Sequence, residues 1–470
     1  MFGLLGEGAD AAKKDAATVM AIETALAKNG LDTTSQRDPN KIYHLMKTAE
    51  FVALSPAFDN DAYLRAIAAP TVSEINVTEP EFVKGMSAVI AERSLDELKT
   101  YLRWQVAHFA APFLSAAFVN ENFDFFGRTL TGAKELRPRW KRCVDATDGA
   151  IGEALGAAYV AKTFGPEGKA RMDAMVRGLE ASLGADIQSV DWMSPTTKAK
   201  AIEKLKAIDN KVGYPDAFRD YSSIAIKRGD HLGNNERANA FEFARQLKKI
   251  GQPVDRKEWG ITPPTVNAGY SPLFNSITFP VGILQPPFFD LKLDDAVNYG
   301  GIGGVIGHEL THGFDDQGSQ FAANGNLANW WTDQDRAEFD KRTGCVADQY
   351  GAYTALDGTK QNGKLTLGEN AADNGGLRIA YMALMETLKD KKPAAREGFT
   401  PEQRFFLGWG QVWCAAARPE FERLQVQTDP HSLPRYRVNG TVSNMPEFQK
   451  AFSCPQSAPM VRGDKACRVW

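Results

Sequence analysis

"GHELTHGFDD", residues 307–316, decides how the rest of the chain is read. The chain holds only six histidines, and two of them, His308 and His312, stand here four residues apart with Glu309 directly after the first. Four residues on an α-helix turn through about 400°, so the two imidazoles lie on one face, placed for two nitrogens on one metal ion. Glu309 sits ~100° further round, close enough to reach a water at that metal but poorly aimed to be a ligand beside both histidines. This is the H-E-x-x-H signature: two zinc ligands and a general base. A chance triplet on an exposed helix is the competing reading, and in a chain so poor in histidine it is the weaker one.

A catalytic zinc needs a third protein ligand and an open position. "GENAADNGG", residues 368–376, holds the best candidates, Glu369 and Asp373, again four apart on one helical face. Glu369 would complete a set of two histidines and one glutamate. Asp373 would stand behind one ligand histidine, accept its other N–H and set its tautomer. On spacing alone, a solvated acidic face accounts for this pair equally well.

The 470 residues are long for a single core, so two domains are expected. A hydrophobic content of 43% with 24% charged residues is that of a globular protein. A net charge of −3 argues against nucleic-acid binding, which needs a strong basic patch. No apolar run reaches the length of a membrane span, and the opening "MFGLLGEGADAAKKD" lacks the basic and apolar regions of a signal peptide. The five cysteines (Cys143, Cys345, Cys414, Cys454 and Cys467) form no CxxC pair. An odd number leaves two readings: ordinary core thiols, or half-cystines whose partners lie outside the chain.

The first half reads as helices. Val19, Ile22 and Leu26 recur at helical spacing before Asn29-Gly30. Ser94 and Glu97 are in capping-box register ahead of Leu95, Leu98, Leu102 and Val106, which line one face. Ser194-Pro195 opens another helix that stops before "GYPD". "KRGDHLGNNERAN" (227–239) is polar and rich in Gly and Asn, and marks a domain boundary near residue 228. In "NSITFPVGILQPPFF" (275–289), Ile277, Phe279 and Val281 alternate as in a strand, and Pro280 suits a sheet edge. "GGIGGVIG" (300–307) matches neither dinucleotide nor P-loop spacing.

Taken together, "GGIGGVIGHELTHGFDDQG" and "LGENAADNGG" resemble the neprilysin family of zinc metallopeptidases. The resemblance extends in order over the whole chain, through "RDPNKIY", "DWMSPTTKAKAIEKLKAI", "GYPD", "VNAGY", "FPVGILQPPFF", "NWWT", "FFLGWGQVWC", "DPHSLPRYRVNG" and "CRVW". It implies a mainly α fold with a small β-sheet: a thermolysin-like zincin catalytic domain over 229–470, and an incomplete helical domain over 1–228 that encloses the substrate cavity. It implies one Zn2+ per chain on His308, His312 and Glu369, with Glu309 as general base and Asp373 behind a ligand histidine. His431 would stabilise the oxyanion. Asn267, Ala268 and Arg437 would contact substrate, and Val305, Val412 and Trp413 would line the pocket for the side chain after the cleaved bond. Gly304, where relatives carry a larger apolar residue, would leave that pocket wider or differently shaped.

The implied activity is hydrolysis of oligopeptides on the amino side of hydrophobic residues, with the strand near 275–289 aligning the substrate. The alternative is a truncated remnant, or one component of a split protein, that binds zinc or peptide without turnover. The family's N-terminal portion is expected to be missing here and to be supplied separately. The resemblance also implies a Cys345–Cys467 disulfide, upstream partners for Cys143, Cys414 and Cys454, and an extracytoplasmic location.

Overall fold

The computed structural model describes residues 1–391 and 393–470, and its architecture is mainly α with small sheets. The chain folds into two compact units. One comprises Met1–Ala146 and Ser222–Val254, the other Thr147–Tyr221 and Asp255–Trp470. The single boundary expected near 228 is therefore replaced by three crossings. The segment 147–221 belongs with the second unit because its Pro166–Ser189 helix buries Met172, Met175, Leu179, Leu183 and Ile187 there. The polar stretch after 227 is not a linker but the His231–Leu247 helix of the first unit, capped by Asp230.

In the first unit, Ala9–Ala27, Pro80–Glu92 and Leu95–Ala110 are helices, and β1 (Leu45–Lys47) pairs antiparallel with β2 (Glu74–Asn76). The capping box at Ser94 forms with both bonds, Glu97 N to Ser94 Oγ and Ser94 N to Glu97 Oε2. The face expected to be apolar is present but turned outward. Leu95, Leu102 and Val106 are each more than 60% exposed, and the buried positions are Ala107 and Ala110. Tyr101 and Gln105 instead reach Glu23 of the first helix, at 2.8 and 3.1 Å.

The second unit holds a three-stranded sheet in the order β3-β5-β4. β3 (Asp209–Gly213) is parallel, and β4 (Gly269–Ser271) antiparallel, to β5 (Ser276–Pro280). β5 is thus central and wholly buried, not an edge. Pro280 is tolerated because β4 pairs only with residues 276–278. On the β3 side the next residue, Val281, supplies the N–H to Gly213 O at 2.8 Å.

The core packs the Gly304–His312 helix against the Leu367–Leu388 helix at backbone contact. A Cβ on Gly307 would lie 2.2 Å from Gly376 O, and one on Gly376 would lie 2.2 Å from His308 N. The glycine-rich run thus serves close packing. Cys345, on the Asp333–Gly351 helix, is disulfide-bonded to Cys467. That bond holds a C-terminus whose Trp470 is buried among Trp192, Phe314 and Phe339. Closing a loop of 122 residues is worth roughly 2–5 kcal/mol. Cys143 and Cys414 are exposed and Cys454 is half-buried. Among the described residues, no helix is long and apolar enough to cross a membrane.

Lys204 is fully buried and donates to Gly318 O at 2.5 Å and Phe321 O at 2.7 Å. Burial pushes its pKa down to about 7, against the pull of the Asp315 carboxylate. A neutral amine keeps two N–H donors, enough for both carbonyls.

Both features can be tested through stability. Gly376→Ala must push the helices apart, at a cost of roughly 1–3 kcal/mol. Its melting temperature is expected to fall by several degrees, and an unchanged value would show that the contact can relax. For Lys204, the unfolded chain keeps its proton up to about 10.5 whereas the folded chain releases it near 7. Between those values the unfolded state binds more protons, so this lysine's contribution to stability rises with pH. In urea titrations at pH 7, 8 and 9, wild-type stability minus that of Lys204→Met is expected to grow, by at most about 1.4 kcal/mol per pH unit. A flat difference would show that the lysine keeps its proton on folding.

Candidate functional site

His308 and His312 project from the buried Gly304–His312 helix with ring centroids 4.5 Å apart and planes at 85°. Each Nδ1 faces a carboxylate: Asp373 Oδ1 lies 2.8 Å from His308 and Asp315 Oδ2 lies 2.7 Å from His312. With Nδ1–H donating to a carboxylate, each Nε2 presents a lone pair. The two Nε2 atoms are 2.9 Å apart, and Glu369 Oε2 lies 3.2 Å from one and 3.5 Å from the other. That oxygen is buried and makes no hydrogen bond.

Three potential donor atoms therefore converge on one point, an arrangement that a bound cation would hold. A tetrahedral zinc with ~2.0–2.1 Å bonds spaces its donors about 3.3 Å apart, close to the separations found. The charge balance agrees. Glu309, Glu369, Asp373 and Asp315 are all buried, and they face Arg437 and the more remote Lys204. A divalent ion offsets that excess of carboxylates.

The titration behaviour follows from the same neighbours. Burial and the His312 charge would lower His308, but Asp373 and Glu369 together raise it. Burial would likewise lower His312, and Glu369 and Asp315 hold it well above the usual value. Burial would raise Glu369, yet His312, His308 and His431 hold it well below the usual carboxylate range. Glu309 is different: burial dominates and raises it, against the opposing His308 and His312. A carboxylate oxygen of Glu309 and one ring nitrogen each of His308 and His312 lie within 4.8 Å of one another.

Arg437 is placed in two ways. It binds Asp373 through both nitrogens, Nε to Oδ2 and Nη2 to Oδ1, each at 2.7 Å. Its guanidinium also lies 3.8 Å from the Trp413 ring centroid. His431 brings Nε2 to 3.2 Å from Glu369 Oε2 and Nδ1 to 2.8 Å from Asp429 Oδ1. Burial alone would lower its pKa, but Asp429 and Glu369 lift it to about 9.

A cavity of about 380 Å³ joins these groups. Asn267, Ala268, Tyr270, Ile283, Phe288, Val305, Trp409, Trp413, His431 and Arg437 line it, together with His308, Glu309, His312 and Glu369. Asp373 stands behind His308 rather than in the wall. Val412 is not in the wall either; it packs against the core. Asn267 Oδ1 accepts from the neighbouring Ala268 N at 3.0 Å. Gly304 does not widen the cavity. A Cβ there would meet Trp409 Cε3 at 2.7 Å, so the indole already fills that place. Asp315 is not among the residues expected from sequence, although it stands three residues after His312 inside the quoted stretch.

Asp315 also accepts from Gln317 N and Gly318 N through Oδ1. Asp315→Asn can keep those two bonds while losing the carboxylate behind His312. Zinc affinity, measured by competition with a chelator, is expected to drop about 10–100-fold. An unchanged affinity would mean that His312 is oriented by packing alone.

Two sequence profiles, both described as peptidase family M13, match residues 1–215 and 267–469. An endothelin-converting enzyme homolog from Locusta migratoria is 36% identical over 96% of this chain and 65% of its own length. Endothelin-converting enzyme 1 from Bos taurus is 36% identical over 99% of this chain and 64% of its own length. The chain thus spans just under two thirds of the length of these curated relatives. Among solved structures, the Mycobacterium tuberculosis zinc metalloprotease Zmp1 in complex with inhibitor superposes with a TM-score of 0.96. That likeness is at 40% identity and covers 100% of this chain and 72% of Zmp1. With both profiles in place, and a relative at that identity over most of its length, the chain belongs to peptidase family M13, the neprilysin family.

Proposed function

We propose that this chain is a zinc-dependent endopeptidase of oligopeptides. The observation that carries this reading is the convergence of His308 Nε2, His312 Nε2 and Glu369 Oε2, with a carboxylate behind each histidine and Glu309 alongside.

These three side chains would hold one zinc ion per chain, and it would supply Lewis acidity there. Glu309 takes a proton from the attacking water and delivers it to the leaving amine; its raised pKa suits the exchange. His431 donates from Nε2 to the oxyanion that develops on the scissile carbonyl, with Asp429 at its other nitrogen. Asp373 and Asp315 hold the ligand histidines in one tautomer, and Arg437 holds Asp373.

Asn267 and Ala268 stand just before the edge strand β4. This edge, rather than the central β5, is where an extended peptide would add its backbone. Ile283, Phe288, Val305, Trp409 and Trp413 give the cavity an apolar wall, which favours cleavage on the amino side of a hydrophobic residue. Restriction to oligopeptides by the helical first unit rests on the family resemblance. The disulfide supports an extracytoplasmic location.

The test is made on the purified 470-residue chain. Zinc per chain and cleavage of a quenched fluorogenic peptide are measured for the wild type and for Glu309→Gln. One zinc in both is expected, with cleavage reduced by about 10²-fold or more in the variant. Zinc without cleavage in the wild type would favour binding without turnover. A folded chain that takes up no zinc would overturn the site.

A further inference from the structure

The loop that carries His431 is tied to the helix that carries Glu369 by a short chain of buried hydrogen bonds. Gln361 Nε2 donates to Ser432 Oγ at 2.6 Å, and Ser432 Oγ donates to Asn370 Oδ1 at 2.5 Å. Leu433 N returns to Gln361 Oε1 at 3.3 Å, and Asn370 Nδ2 continues to Thr366 Oγ1 at 2.9 Å. None of Gln361, Ser432 and Asn370 is more than 4% exposed. A hydroxyl has one hydrogen. Once it points at Asn370, the Ser432 oxygen is left to accept from Gln361, so the direction of the whole chain is set. Any other arrangement of the loop would strand a buried donor or acceptor, which keeps this one in place.

His431 itself is held much less firmly. Its polar partners are Asp429, on its own loop and 42% exposed, and the Glu369 oxygen. Its side chain is also 42% exposed, as a group that meets substrate must be. The firm attachment is therefore one residue further along, at Ser432.

We propose that Gln361, Ser432 and Asn370 form a latch that positions His431 over the cavity beside Glu369. They are positioning residues and touch no substrate. The effect on rate rests on the peptidase reading above; the effect on His431 itself does not.

Ser432→Ala and Gln361→Met each open the latch, and the second keeps the test available if the first fails to fold. In the zinc-loaded protein, kcat is expected to fall about 10–100-fold, the cost of a misplaced group of this kind, with KM and zinc content unchanged. In a His431→Gln background neither substitution is expected to cost anything further, because each acts only through His431. A loss of the same size in that background would overturn the proposal in favour of general loosening.

A second readout needs no turnover. With only six histidines, the imidazole resonances can be resolved and His431 assigned from the His431→Gln spectrum. Ser432→Ala and Gln361→Met are expected to shift or broaden the His431 signal and leave those of His308 and His312 in place. An unmoved His431 signal would overturn the latch. If the zinc-loaded wild type cleaves nothing, the peptidase reading falls, and these resonances still decide the latch.

Discussion

The close crossing of two helices at Gly307 and Gly376 is the constraint on which the site depends. The backbones touch there, with no space for a Cβ on either side. That contact sets Glu369 beside the two histidines, and Asp373, one turn further along, behind His308. A side chain at either glycine would separate the helices by more than a metal–ligand geometry tolerates, since donor positions must hold to within about 0.2 Å.

Around that crossing, the second unit buries an unusual density of ionisable groups. Arg437 takes both oxygens of Asp373, and Asp315 takes His312 and two backbone amides. Lys204 takes two carbonyls of the following loop. Within the site, the Glu369 oxygen makes no hydrogen bond and faces the Nε2 atoms of His308 and His312. Buried groups left in that state are costly, so they mark the place where a further charge belongs.

Much of the chemistry was legible along the chain because it depends on local spacing. His308, Glu309 and His312 follow from helical periodicity, and so does the pairing of Glu369 with Asp373 on one face. The capping box at Ser94 and the Ser194-Pro195 helix start are equally local, and both form as read. The central place of β5 was not legible, because Pro280 meets its local requirement in a strand that β4 covers for only three residues. The filling of the Gly304 position by Trp409 was equally hidden, since the two residues are far apart in sequence.

By itself, then, the sequence singled out the side chains on which the proposed metal chemistry rests and the helices that hold them, and its motifs carried the resemblance to the family. The His308, Glu309 and His312 triplet is a matter of residue type and short-range spacing; Glu369 and the family came through the resemblance of longer motifs. Only the tertiary structure decided that 147–221 packs with the second unit, that the apolar stripe of Leu95–Ala110 faces outward, and that Arg437 fastens Asp373 while lining the cavity. Periodicity shows that a helix has an apolar face but not which surface meets it. That choice is made by packing between residues tens to hundreds of positions apart.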